Sequence, residues 1–130
     1  MAMLLFMLLC GCTKGGDISK VTKTVGTSDI YTQEDIQSAM NVVTKYFKST
    51  EGFQDCTLTE LYYDETLSSD SSEAWAEQYE AEEAIVLVSS FEVSAYYQSG
   101  TLNPDSTYNN FKWILVRSNN KKWTLETWGY

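Results

Sequence analysis

The chain reads as one α+β domain: a long N-terminal helix packed on a curved antiparallel sheet of about four strands, with a second short helix between the strands. Three observations predict it. Ile36, Ala39, Met40, Val43 and Phe47 recur at helical spacing. Ala84-Ile85-Val86-Leu87-Val88 is apolar at every position, as a strand covered on both faces requires. Asn119-Asn120, set between two apolar-aromatic runs, has the chemistry of a hairpin turn.

The first residues carry an address. Residues 1–9 are an almost unbroken apolar run that ends in Leu9-Cys10-Gly11-Cys12 and then turns polar. The run is too short to cross a hydrocarbon core, which takes about 20 apolar residues, and fits the apolar region of an export signal. Its ending resembles the bacterial lipobox, with Leu9 three places before, and small Gly11 directly before, an acylated Cys12. Acylation of Cys10 would instead put Leu9 where the peptidase needs a small side chain. Residues 1–11 are therefore expected to leave as a signal peptide, and Cys12 to carry the lipid, palmitate among its acyl groups. That anchors the protein to the extracytoplasmic face of the cell membrane. No Lys or Arg precedes Gly11, although a signal usually starts basic, which leaves the start codon open.

This processing leaves Cys56 as the one free thiol, so no disulfide forms within the mature chain. With a single thiol and no histidine, zinc, haem and iron-sulfur sites have too few ligands, and no cofactor is expected. Cys56 has no histidine to activate it and is read as a packed small hydrophobe. The net charge of −9 argues against nucleic acid and against adhesion to anionic headgroups, so the lipid has to do the anchoring.

Residues 12–30, rich in Thr, Gly, Ser and Lys without an apolar period, read as a flexible tether with a span on the order of 25 Å, and the domain as residues 31–130. Thr32 is the expected N-cap of a helix over 33–51, with Asp35 at the third helical position and Tyr31 stapled onto Ile36. Lys45 and Lys48 suit its C-terminal end, and Gly52 its stop. A strand follows over 57–64. Asp70 and Glu73 repeat the capping pattern for a short helix through Ala81, with Trp75 and Tyr79 as its apolar edge. Residues 84–95 form the central strand, Asn103-Pro104-Asp105-Ser106 a turn, and 111–118 and 123–128 a closing hairpin. A two-residue turn sets Val116 opposite Trp123 and Ile114 opposite Leu125, with Phe111, Trp113 and Trp128 on the other face.

That aromatic face is the candidate binding surface: Phe111, Trp113 and Trp128, rimmed by Tyr96, Tyr97, Tyr108 and Tyr130. It is expected to meet a protein partner, a second copy forming a homodimer, or a peptide, glycan or apolar small molecule; the domain's own helices are an equal claimant. Arg117 and Lys122 near the hairpin tip read either as an anion site or as solvated cations. The acids between Asp64 and Glu83 read as a solvated surface, since their spacing does not match a calcium loop.

The order helix, strand, helix, then three long strands resembles the cystatin-like cone fold shared by nuclear transport factor two and ketosteroid isomerase. Residues 31–130 resemble a family of extracytoplasmic domains in small lipoproteins of Gram-positive bacteria. Cys56-Thr57-Leu58-Thr59-Glu60, Ala84-Ile85-Val86-Leu87-Val88-Ser89-Ser90-Phe91, Ser99-Gly100-Thr101-Leu102-Asn103-Pro104 and Trp113-Ile114-Leu115-Val116-Arg117 carry that resemblance. It implies the cone and a surface location, and brings no activity with it. Cone enzymes move protons with an Asp or His; here only Asp55, Asp64 and Glu92 lie near strand segments, and carboxylates so placed are more often solvated than catalytic. The expected function is a non-catalytic interaction module, with ligand binding as the alternative.

Overall fold

A computed structural model describes residues 14–130. The expected signal peptide, residues 1–11, and Cys12 lie outside the described residues. In chain order the elements are β1 (Thr22–Thr24), α1 (Gln33–Ser49), a 3-10 turn (Glu51–Phe53), β2 (Cys56–Tyr63), α2 (Glu65–Gln78), β3 (Glu83–Val93), β4 (Ser106–Arg117) and β5 (Thr124–Gly129). They make an α+β architecture whose five-stranded sheet runs β1-β2-β3-β4-β5, with β1 parallel to β2 and every later pair antiparallel.

α1 begins where its cap predicts. Thr32 Oγ1 accepts from the Asp35 amide at 3.1 Å, and the Asp35 carboxylate accepts from the Thr32 amide at 3.2 Å, satisfying two otherwise orphan donors. Ile36, Ala39, Met40, Val43 and Phe47 form its buried stripe. The helix ends at Ser49, short of Gly52. The Ser49 and Thr50 hydroxyls donate to the terminal carbonyls of Lys45 (2.7 Å) and Tyr46 (2.6 Å), and extended Thr50 sends the chain into the 3-10 turn that buries Phe53.

The stripe of α1 packs on the face of β3 and β4 that carries Ile85, Leu87, Phe91, Trp113 and Leu115. The opposite face, with Ala84 and Val116, is covered by α2 through Ala76, Trp75 and Tyr79. Both faces of β3 are thus buried, which is why its run needs no polar alternation. α2 starts six places before the expected Asp70 cap: Asp64 Oδ1 accepts from the Leu67 amide at 2.9 Å. The serine-rich first half has weak helical propensity but a tertiary role. β2 stops at Tyr63, and buried Ser68 Oγ takes the Val86 amide at 3.0 Å in its place.

Residues 14–30 are not the flexible tether that their composition suggests. The Gly16 amide donates to the Phe47 carbonyl at 2.8 Å, Asp17 bridges to Thr57, β1 pairs with Glu60–Tyr62, and Ile18, Val21 and Val25 pack against the core. Gly15 and Gly16 are required by close approach rather than by mobility, because a Cβ on either would strike the Lys48 carbonyl or the Phe47 ring. The domain therefore starts well before Tyr31, and the sheet gains a strand.

The last hairpin differs by one register. Val116 pairs with Thr124, Leu115 with Leu125 and Trp113 with Trp128. Asn119 and Asn120 do adopt left-handed conformations (φ 56° and 53°), but Trp123 leaves the strand to pack edge-on to Tyr31, 5.7 Å between centroids, so the turn lengthens. An irregularity at Glu126 then restores Trp128 to the side of Trp113. β4 begins at Ser106, not 111, with left-handed Asn110 forming a bulge opposite Ser90. A second bulge at Thr59 lies on the other side of Ser90, and bulges at one level bend a sheet.

Trp113 is wholly buried, and its indole N–H donates to Ser89 Oγ at 2.8 Å. Ser89→Ala leaves that donor dry and unpaired, so we expect urea unfolding to report a loss of about 1–3 kcal/mol. An unchanged midpoint would mean the indole has found another acceptor.

Candidate functional site

Phe111, Trp113 and Trp128 do share one face, and α1 is what covers it. Tyr46 sits 4.7 Å from Trp128, and Phe47 and Phe53 lie 6.4 Å and 5.6 Å from Trp113, centroid to centroid. Phe111 and Trp113 are consequently core residues, and the broad aromatic surface expected from alternation is not there. Trp128 keeps 40% of its area exposed, Tyr130 76% and Tyr96 82%.

Where the cover from α1 runs out, a cleft of about 400 Å³ opens between the 3-10 turn, the 94–105 loop and the end of β5. Phe53, Phe111 and Trp128 supply its aromatic lining, with Tyr97 and Leu102 across from them. The Tyr97 hydroxyl donates to the Gly52 carbonyl at 2.8 Å and clamps the loop to the turn. Gly100 is needed there, since a Cβ would sit 2.7 Å from that hydroxyl. Further along, Tyr108 Oη accepts from the Asn103 amide at 3.0 Å, and its ring stacks on Tyr130 at 5.7 Å. Among the described residues, no charged side chain lines the cleft. Such a site holds an apolar or aromatic group by area and ring stacking, with backbone and hydroxyl groups at the rim.

Phe53 and Leu102 were not singled out as site residues by sequence, because no periodic pattern marks a 3-10 turn or a loop, whereas Tyr97 is one of the tyrosines expected at the rim. The legible hint was the tyrosines themselves, Tyr96, Tyr97, Tyr108 and Tyr130. Tyr96 lies in the same loop, next to Tyr97, while Tyr130 follows β5.

The acids fall elsewhere. Asp64 is the cap of α2. Asp55 and Glu92 border a polar hollow of about 510 Å³ together with Asp105, all three exposed to water, and the hydroxyls of Thr57, Ser94, Ser106 and Thr107 that share it have no histidine to activate them. Among the described residues no group of three or more acids or thiols is gathered as a metal would need. Cys56 is buried, and that burial, reinforced by the Asp55 charge, pushes its thiol up to about 12. It is a packed thiol with no thiolate to offer at neutral pH.

Arg117 is neither an anion site nor a solvated cation. Its guanidinium bonds Asp35 at 2.8 Å and Glu83 at 2.6 Å and lies 4.2 Å over the Trp123 ring. Glu82 accepts from the Asn119 amide at 2.9 Å beside it. This cluster ties the start of α1 to β3, β4 and the last turn, at the end of the domain away from the cleft. No helix among the described residues is long and apolar enough to cross a membrane. Compared with known families, curated proteins and solved structures, the chain matches none.

Two measurements test these assignments. Cys56 should stay unreactive toward a chromogenic disulfide reagent at pH 8 and titrate as one thiol in denaturant; fast labelling of the native protein would contradict its burial. The hydrogen bond from Arg117 holds the Asp35 carboxyl below its usual value of 3.8. A carboxyl lowered on folding adds stability above its unfolded value that is lost as pH falls through the folded one. Acidification below about pH 4 should therefore lower the Tm, and Asp35→Asn should shrink that drop while lowering the Tm at pH 7. An equal acid response in both proteins would remove Asp35 from the account.

Proposed function

We propose that this protein is a non-catalytic binding domain held at the extracytoplasmic face of the membrane by lipid on Cys12, and that its aromatic cleft receives an apolar or ring-bearing ligand. The observation that carries this reading is the cleft itself: an uncharged recess among Phe53, Tyr97, Phe111 and Trp128, beside exposed Trp128 and Tyr130. A cone fold would fit this reading, since a helix lying along a bulged sheet leaves a mouth where the helix ends, although α2 on the outer face departs from that plan. The family of small Gram-positive lipoproteins fits the Leu9-Cys10-Gly11-Cys12 ending. Reaction chemistry has little support: a dry thiol, a capping aspartate and solvated carboxylates offer no activated base or nucleophile.

A second reading keeps the interaction module, with a protein partner or a second copy meeting the exposed rings of Tyr96, Trp128 and Tyr130. Burial of Phe111 and Trp113 deprives it of its centre, and interfaces draw most of their energy from a buried centre.

The test uses N-phenyl-1-naphthylamine, a neutral fluorescent probe of apolar recesses. Its emission should rise on the folded protein, Trp128→Ala should weaken binding roughly tenfold, and Trp75→Ala, on the other face of the sheet, should leave it unchanged. No enhancement, or equal binding by all three proteins, would overturn the cleft. Concentration-dependent dimerisation lost in Trp128→Ala, seen by light scattering, would favour the second reading.

A further inference from the structure

Three residues separate Cys12 from Gly16, and Gly16 is bonded to the Phe47 carbonyl at the C-terminal end of α1. Fully extended, the four Cα steps from Cys12 to Gly16 reach at most about 14 Å. A lipid on Cys12 therefore enters the bilayer within that distance of one particular end of the domain. The cleft opens at that end.

The sheet puts the same elements there. β2 starts, β3 finishes and β4 starts at one level, with Cys56 paired to Val93 and Val93 to Ser106. The 94–105 loop is tied to it by the Ser94 amide on the Asp55 carbonyl at 2.9 Å and by Tyr97 on Gly52. Tyr96, Trp128 and Tyr130, the large exposed rings of the folded part, belong to that loop and to the close of β5. The Arg117 cluster and the 118–123 turn lie at the other end of α1, which at 17 residues is about 25 Å long.

We propose that the cleft end of the domain rests on the outer surface of the bilayer, with these rings at headgroup depth, so that ligands of the cleft come from the lipid phase as amphiphiles. This rests on the lipid-anchor reading given above. Tyrosine and tryptophan favour that depth because each joins an apolar ring to a polar tip. Exposed Glu51, Asp55 and Asp105 at the same end repel anionic headgroups, so the rings alone would bind a membrane weakly. The short lipidated link removes that difficulty by holding the patch at millimolar effective concentration.

The experiment takes the full chain, purified from bacterial membranes and placed in phosphatidylcholine vesicles that contain a headgroup nitroxide lipid. Bimane is attached at Gln98→Cys in the cleft-end loop or at Lys121→Cys at the far end; buried Cys56 does not compete. Mass spectrometry of the N-terminal peptide reads acylation of Cys12 in the same samples. The expected result is acylated Cys12 with bimane at 98 quenched several-fold more than at 121, a contrast lost when a Gly-Ser stretch is inserted after Thr13. Equal quenching at both sites with Cys12 acylated overturns the pose while leaving the anchor standing. An unacylated Cys12 overturns the anchor and the pose with it.

Discussion

Trp113 has to be dry and its N–H has to be bonded, and much of the architecture follows from meeting both conditions. Ser89 answers the second from the neighbouring strand, with its own hydroxyl donating onward to the Phe111 carbonyl at 3.3 Å. The first takes several elements at once. Phe111 packs beside the indole, Trp128 stacks on it across the hairpin, and Phe47 and Phe53 close over it. Phe53 can do so only because α1 breaks at Ser49 and the chain turns back through Glu51–Phe53. The cleft is the remainder of this arrangement, the place where one helix is too short to cover a row of rings.

The two ends of the helix consequently differ in kind. At its start, ions and hydrogen bonds prevail: a capping box, a guanidinium shared by two carboxylates, and an indole over which that guanidinium lies. Such groups specify geometry, and the one-register change of the last hairpin is settled there by Trp123, whose N–H reaches the Asp35 carbonyl at 3.0 Å. At its finish, contacts are apolar and partly open, and what polar bonding exists serves to clamp a loop. Specification at one end leaves the other free to be adapted to a ligand.

Several features could be read directly from residue order because their causes are local. The Thr32 box, the α1 stripe and the all-apolar core of β3 each report their own environment. Three readings failed for non-local reasons. The expected Asp70 cap lies inside α2, because the serines before it have weak helical propensity and Ser68 gains its place only where β2 ends and leaves it the Val86 amide. Gly15 and Gly16 look like linker residues until Phe47 is set against them. Asn119-Asn120 has the correct left-handed backbone, yet Tyr31, far away in the chain, decides how long the turn is. The same division holds for the candidate site. Alternation places Phe111, Trp113 and Trp128 on one face but says nothing about depth, and the residues that complete the cleft come from irregular segments without periodicity.

The N-terminal strand also guards the sheet. β2 is eight residues long, and among the described residues β1 and the Asp17 bridge are what stand between its outer peptide groups and other molecules. The opposite border, β5, is interrupted at Glu126, and an irregular, charged edge is a poor template for another strand. A fragment begun at Tyr31, the boundary that composition suggests, would bare the longer of the two edges. Edge-to-edge pairing of one sheet with the next would follow, and the aggregates would say more about the cut than about the protein.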